Sequence, residues 1–148
     1  MERFLSNGIN RVDAKGRVSV PAHFRTALAA KGLSELYALQ SLDMPAVDVG
    51  GVDRLERMEA RMAQDDPFLA GSDDMSLYFH GDGAFLKLDS GGRITISDFI
   101  REHTRIKDEV HFVGRGDFFQ MWAPDRFASF REEVRSRLRA QRSQGQTS

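Results

Sequence analysis

The chain of 148 residues contains no cysteine. That excludes disulfides, thiol nucleophiles and thiolate-bound zinc, and permits a reducing compartment. No window approaches the roughly 18 to 20 continuous apolar residues that a membrane helix needs, and the opening MERFLSNGINRVD lacks the apolar segment of an export signal. We therefore expect a cytoplasmic protein with no membrane partner. The histidines His23, His80, His103 and His111 form no HExxH pair, and no carboxylates have EF-hand spacing. No phosphate-binding GxxxxGKS or GxxxxGKT run, strand-following GxGxxG or GxSxG elbow occurs. No metal, cofactor, small-molecule substrate or catalytic residue is expected, and the chain is not read as an enzyme.

Net charge is also nearly absent, at −1. That balance hides a distribution. Residues 1–75 carry nine basic and twelve acidic residues, residues 76–148 twelve and ten. From Arg11 to Arg25 the basic residues Arg11, Lys15, Arg17 and Arg25 face one acid, Asp13. Seventeen of the 21 basic residues are arginine, whose planar fork suits phosphate and base-edge recognition better than the point charge of lysine.

What is present is a repeat. DAKGRVSVPAHFR at 13–25 and DSGGRITISDFIR at 89–101 align at a shift of 76. The shift pairs Asp13 with Asp89, Gly16 with Gly92, Arg17 with Arg93 and Arg25 with Arg101. So long a period indicates a duplicated half, not a solenoid. A half of about 75 residues buries too little surface to be more than marginal alone, so the copies are expected to intertwine around one core. The first repeat is placed at 1–75 (core about 5–52) and the second at 76–140 (core about 81–124), with a disordered polar tail at 141–148. Pro67 and Gly71 punctuate the stretch that joins them.

Each copy reads as turn, short strand, helix, strand, strand and closing helix, and in the second copy the strand AFLKL precedes the turn. RVSV and RITI have the alternation and β-branching of strands. Pro21 is expected to open a helix that Gly32 stops, and Ser97 to cap its counterpart DFIREHTRI. ELYAL and EVHFV read as returning strands, followed by DMPAVDV and FFQMW. The closing helices carry apolar stripes at Leu55, Met58 and Met62, and at Phe127, Phe130, Val134 and Leu138.

The repeated turn divides into scaffold and contact. The Asp of D-x-x-G-R can accept bonds from backbone N–H groups ahead of it, and Gly can adopt a positive φ. Asp13, Gly16, Asp89 and Gly92 are therefore assigned to the turn. No strand or helix needs the cations Arg17 and Arg93, so these are assigned to binding, against an internal Asp–Arg pair as the alternative. Lys15 adds a charge to the first turn only, because Gly91 occupies its place in the second. Arg25 and Arg101 are read as solvated helix positions.

VDAKGRVSVPAHFRTAL resembles the signature of the MraZ family of bacterial transcriptional regulators associated with the division and cell-wall gene cluster, and LDSGGRITISDFIRE resembles its second copy. The resemblance spans about residues 1–140. It implies an α+β fold of two AbrB-like (SpoVT-AbrB) strand–helix–strand repeats, interleaved as a swapped-hairpin β-barrel with flanking helices and assembled as a ring-like homo-oligomer. It also implies repression of the chain's own operon through double-stranded DNA carrying repeated promoter sites. Carried over, it places Asp13, Lys15 and Arg17 on one DNA-facing loop and Asp89 and Arg93 on the other; Arg11 is read, with Lys15, as a phosphate contact beside them. Gly91 and Ser97 depart from the family pattern, so the second corner is expected to be looser, the turns unequal, and Arg17 the more important arginine. An AbrB-like antitoxin or other protein-interaction module is the alternative.

Overall fold

A computed structural model describes residues 3–64 and 72–147. The first copy runs β1 (Asn7–Arg11), β2 (Arg17–Ser19), α1 (Ala22–Ala30), β3 (Glu35–Gln40), β4 (Ala46–Gly50) and α2 (Val52–Met62). A short helix α3 (Ser72–Ser76) and a π-helical turn at Leu77–Gly81 lead into the second. That copy runs β5 (Ala84–Lys87), β6 (Arg93–Thr95), α4 (Asp98–Thr104), β7 (Glu109–Gly114), β8 (Phe119–Trp122) and α5 (Pro124–Thr147). The joining stretch with Pro67 and Gly71 lies outside the described residues.

The copies are interleaved strand by strand. The larger sheet has the order β1-β7-β8-β4-β3-β5, and β2 and β6 form a separate two-stranded ribbon. Thus β1 of the first copy pairs with β7 of the second, and β5 of the second with β3 of the first. These ladders are equivalent: Arg11 faces Glu109 as Lys87 faces Glu35. The β4–β8 pair joins the two exchanges at the centre. In the ribbon, Val18 faces Ile94, its own counterpart at the shift of 76, so a pseudo-twofold axis passes through that pair. The ladder is open, with β1 and β5 as its ends. The ribbon lies against both ends without closing a hydrogen-bonded barrel.

One core serves both copies. Phe4, Phe24, Phe112 and Phe119 are almost wholly buried. Phe119 lies 5.3 Å from Phe4, 5.1 Å from Phe24 and 6.0 Å from Phe112 between ring centroids. Each such ring contributes about 1.5–3 kcal/mol by leaving water, and neither copy can assemble the cluster alone.

Two helix boundaries differ from expectation. Pro21 is the residue before α1, with φ −52° and ψ 142°, so the helix starts at Ala22. Ser97 precedes α4 as expected, but its side chain makes no capping bond; its carbonyl accepts from Ile100 and Arg101 at 3.1 and 2.9 Å. The expected unstructured tail is instead the last turns of α5, which reaches Thr147. Its Arg, Ala and Gln residues are good helix formers, and propensity here extends a helix nucleated by packing. Gly32 does end α1, at φ +69°, with Leu33 N donating to Leu28 O at 3.0 Å.

Candidate nucleic-acid interface

The two repeated turns have the same internal bonding. In the first, Asp13 Oδ1 accepts from the backbone N–H of Lys15 and Arg17, both at 2.9 Å, while Oδ2 accepts from Arg17 Nε at 3.2 Å. In the second, Asp89 Oδ1 accepts from Gly91 and Arg93, again at 2.9 Å, and Oδ2 from Arg93 Nε at 3.2 Å. Backbone bonds from Asp13 N to Arg17 O and from Asp89 N to Arg93 O close each turn at 2.7 and 2.9 Å. Gly16 and Gly92 sit at φ +79° and +76°, where a Cβ is strained. The two turns are bonded alike. Asp supplies the acceptors that replace a residue's worth of backbone pairing, so Gly91 changes no bond in the turn.

These bonds hold both carboxyls below the ordinary Asp value. For Asp13 the backbone N–H of Arg17 is the largest cause, and for Asp89 that of Arg93.

The ribbon then locks the turns to each other. Val20 N donates to Gly92 O at 3.0 Å, and the symmetric bond runs from Ile96 N to Gly16 O at 2.7 Å. Arg93 Nη1 also approaches Asp13 Oδ2, at 3.9 Å across the axis. The predicted residues Asp13, Lys15, Gly16, Arg17, Asp89, Gly92 and Arg93 therefore meet on one ribbon. Arg11 lies at the end of β1 two residues before Asp13, opposite Glu109.

The internal Asp–Arg pair and outward binding turn out to be compatible. Each carboxylate engages Nε, the inner nitrogen of the fork. Among the described residues neither Nη of Arg17 has a hydrogen-bond partner. Clamping Nε fixes the plane of each guanidinium; the terminal nitrogens of Arg17 meet no carboxylate among the described residues, whereas Arg93 Nη1 lies 3.9 Å from Asp13 Oδ2. A pair of rigid forks of this kind can donate bidentate bonds to phosphate oxygens or to guanine O6 and N7.

Arg25 was read as solvated, but it reaches the second turn. Its Nε donates to Val20 O at 3.0 Å. A Cβ built on Gly92 would lie 2.5 Å from Arg25 Cδ and 3.0 Å from its Nη1. No spacing signal in the sequence could show this, since the contact joins one copy's helix to the other copy's turn. Among the described residues no cluster of His, Asp or Glu suits a metal ion, and no helix is long and apolar enough to cross a membrane. A separate cavity of about 840 Å³ lies against strands β3, β4 and β8, lined by Met58 and Arg61 of α2, Tyr78, and Arg115 and Phe118 of the β7–β8 turn.

A strand-exchanged tandem repeat that presents two Asp-anchored arginine turns on one ribbon defines a class of duplicated, basic-turn α+β proteins. Comparison with known sequences makes the class specific. A family model described as "MraZ protein, putative antitoxin-like" matches residues 81–147. A protein named transcriptional regulator MraZ from Rhizobium rhizogenes is 51% identical over 135 residues, covering 91% of this chain and 92% of the relative. Its namesake from Rhizobium johnstonii is 52% identical, covering 91% and 93%. One from Beijerinckia indica is 41% identical over 144 residues, covering 97% and 88%. The chain belongs to the MraZ family.

Proposed function

We propose that the chain is a sequence-specific, DNA-binding transcriptional regulator that reads DNA through the ribbon of paired turns. The name of its relatives, transcriptional regulator, supports the class. The observation that carries the mechanism is the fork geometry: Nε of Arg17 and of Arg93 is held by its own Asp at 3.2 Å, which leaves both terminal nitrogens of Arg17 as donors, while Arg93 Nη1 lies 3.9 Å from Asp13 Oδ2 and its Nη2 is the donor left over. In the major groove these would bond guanine O6 and N7, while Lys15, Arg11 and nearby backbone amides hold phosphates.

Few charges contact DNA from one chain, so affinity has to come from repetition. A homo-oligomeric ring presenting several ribbons to repeated promoter sites raises effective concentration and multiplies weak contacts. Exchange of the first strands between copies favours the swapped-hairpin architecture expected of such a subunit. Repression of its own division and cell-wall operon from the nucleoid is the regulatory role that fits this family. The test is binding of Arg17→Ala, Arg93→Ala and the double variant to fragments with repeated sites, with the oligomeric state checked by mass. The double variant is expected to lose specific binding. Wild-type affinity in an intact double variant would exclude the turn arginines.

A protein-interaction role of the antitoxin kind is favoured by a different feature, the 840 Å³ cavity beside α2. Pull-down with and without DNA, read by mass, separates the two: a partner retained without DNA supports that role.

A further inference from the structure

We infer that Arg25 supplies the second turn with the phosphate-binding cation that its own sequence lacks. The inference rests on the reading that the ribbon faces DNA. The first turn carries Lys15 beside Arg17, whereas the second has Gly91 in that place and only Arg93. The missing charge arrives from the other copy. Arg25 projects from α1 of the first copy and lies across Gly92 of the second, with Cδ, Nη1 and Nε at 2.5, 3.0 and 3.1 Å from a Cβ built there.

Arg25 is positioned by two linked bonds. Gly92 O accepts from Val20 N at 3.0 Å, and Val20 O accepts from Arg25 Nε at 3.0 Å. The guanidinium is thus referenced to the same turn it covers. The residue is exposed. It has no carboxylate partner among the described residues, and its terminal nitrogens are left for a ligand. Arg93 Nε lies 3.3 Å from a Cβ built on Gly91, so two guanidinium groups flank the Gly91–Gly92 peptide.

The pseudo-twofold axis supplies an internal control. Symmetry would send Arg101 over Gly16, but Arg101 Nη1 instead donates to Ile106 O and Lys107 O, each at 3.2 Å, behind its own helix. Nothing lies within 4 Å of a Cβ built on Gly16. Each turn therefore has its D-x-x-x-R arginine and one further cation, Lys15 from within or Arg25 from across the axis. A packing role alone would be met by the carbons of the side chain and needs no outward charge.

The experiment measures affinity across salt concentrations for the full chain on a duplex that the wild type has selected from random oligonucleotides. Arg25→Ala and Arg25→Gln are each expected to bind roughly tenfold more weakly and to lose about 0.9 of the log–log salt slope per bound chain. Arg101→Ala should keep the wild-type slope. Adding Gly91→Lys to Arg25→Ala should return the slope, because it restores a cation to the second turn at a φ that accepts a side chain. A wild-type slope in both Arg25 variants overturns the inference, as does a folded Arg25→Ala/Gly91→Lys protein that fails to recover. If Arg17→Ala also binds normally, the turn reading itself has failed; if Arg17→Ala is impaired, only the role of Arg25 has.

Discussion

The two copies match most closely at the axis between them and diverge with distance from it. At the ribbon they share every turn bond to within a few tenths of an ångström, and Val18 faces its own counterpart Ile94. At the periphery the closing helices share only the opening Asp-Arg. No residue of α2 is buried, whereas α5 sets Phe127 against Trp122 at 5.4 Å and stacks Phe130 on it at 5.0 Å. Pairing explains the pattern. A strand that pairs with its own duplicate must fit a copy of itself, while a helix on the outside meets a different neighbour in each half. The cations obey both rules: Arg17 and Arg93 are equivalent, but Lys15 and Arg25 reach the turns by different routes.

The largest expected effects test whether the halves share a core. Phe119→Ala and Trp122→Ala are each expected to cost about 3–5 kcal/mol, read as a shifted midpoint of one cooperative urea transition. Separate transitions for the two halves would break the picture, since Phe119 contacts Phe4 and Phe24 of the first copy. The closing helices sharpen the contrast. Phe127→Ala should cost about 3 kcal/mol, because the ring packs on both Trp122 and His111. Met58→Ala, on the half-buried face of α2, should cost less than about 1 kcal/mol. Equal costs would mean that α2 is packed as tightly as α5.

The two glycines separate backbone strain from contact. Gly16→Ala and Gly92→Ala both place a Cβ at positive φ, at a cost of about 1–2 kcal/mol in stability. Only Gly92→Ala also displaces Arg25. Thermal unfolding should therefore shift alike for the two variants, while DNA affinity falls further for Gly92→Ala. Equal losses of affinity would indicate that strain in the turn, not the displaced cation, controls binding.

Much of this was legible in the sequence. The repeat, the strand–helix–strand order and the Asp–Gly–Arg turn follow from alternation, spacing and residue chemistry. The size argument pointed to intertwining, but which strand exchanges with which is a long-range choice that periodicity does not encode. Strand β1 escaped notice because NGINR has one apolar residue in five; pairing with β7 makes it a strand. The short helix at 72–76 falls on the joining stretch and the π-helical turn at 77–81 has no periodicity to announce it, yet Tyr78 Oη there donates to Gln40 O at 2.5 Å. Arg25 looked solvated because a helical wheel shows its own helix and not the turn of the other copy. The expected inequality of the turns was drawn from Lys15 alone. With Arg25 in place, the predicted excess of Arg17→Ala over Arg93→Ala shrinks.

The smallest effect concerns one equivalent pair in β3 and β7, Tyr37 and His111, which face Phe85 and Trp122 across their ladders. Tyr37 Oη donates to Phe79 O at 2.5 Å, whereas His111 Nε2 bonds Asn7 Oδ1 at 2.7 Å. Burial holds the His111 imidazole below its ordinary value of 6.5, with Arg131 adding to the effect. The folded protein therefore binds that proton less readily than the unfolded chain does. The contribution to stability is complete above about pH 6.5 and is lost as pH falls through the lower folded value. Thermal midpoints measured from pH 7.5 down to 5 should fall in the wild type and flatten in His111→Phe, so the acid sensitivity of the two halves is expected to reside in the second. A fall of the same size in both proteins would place it elsewhere.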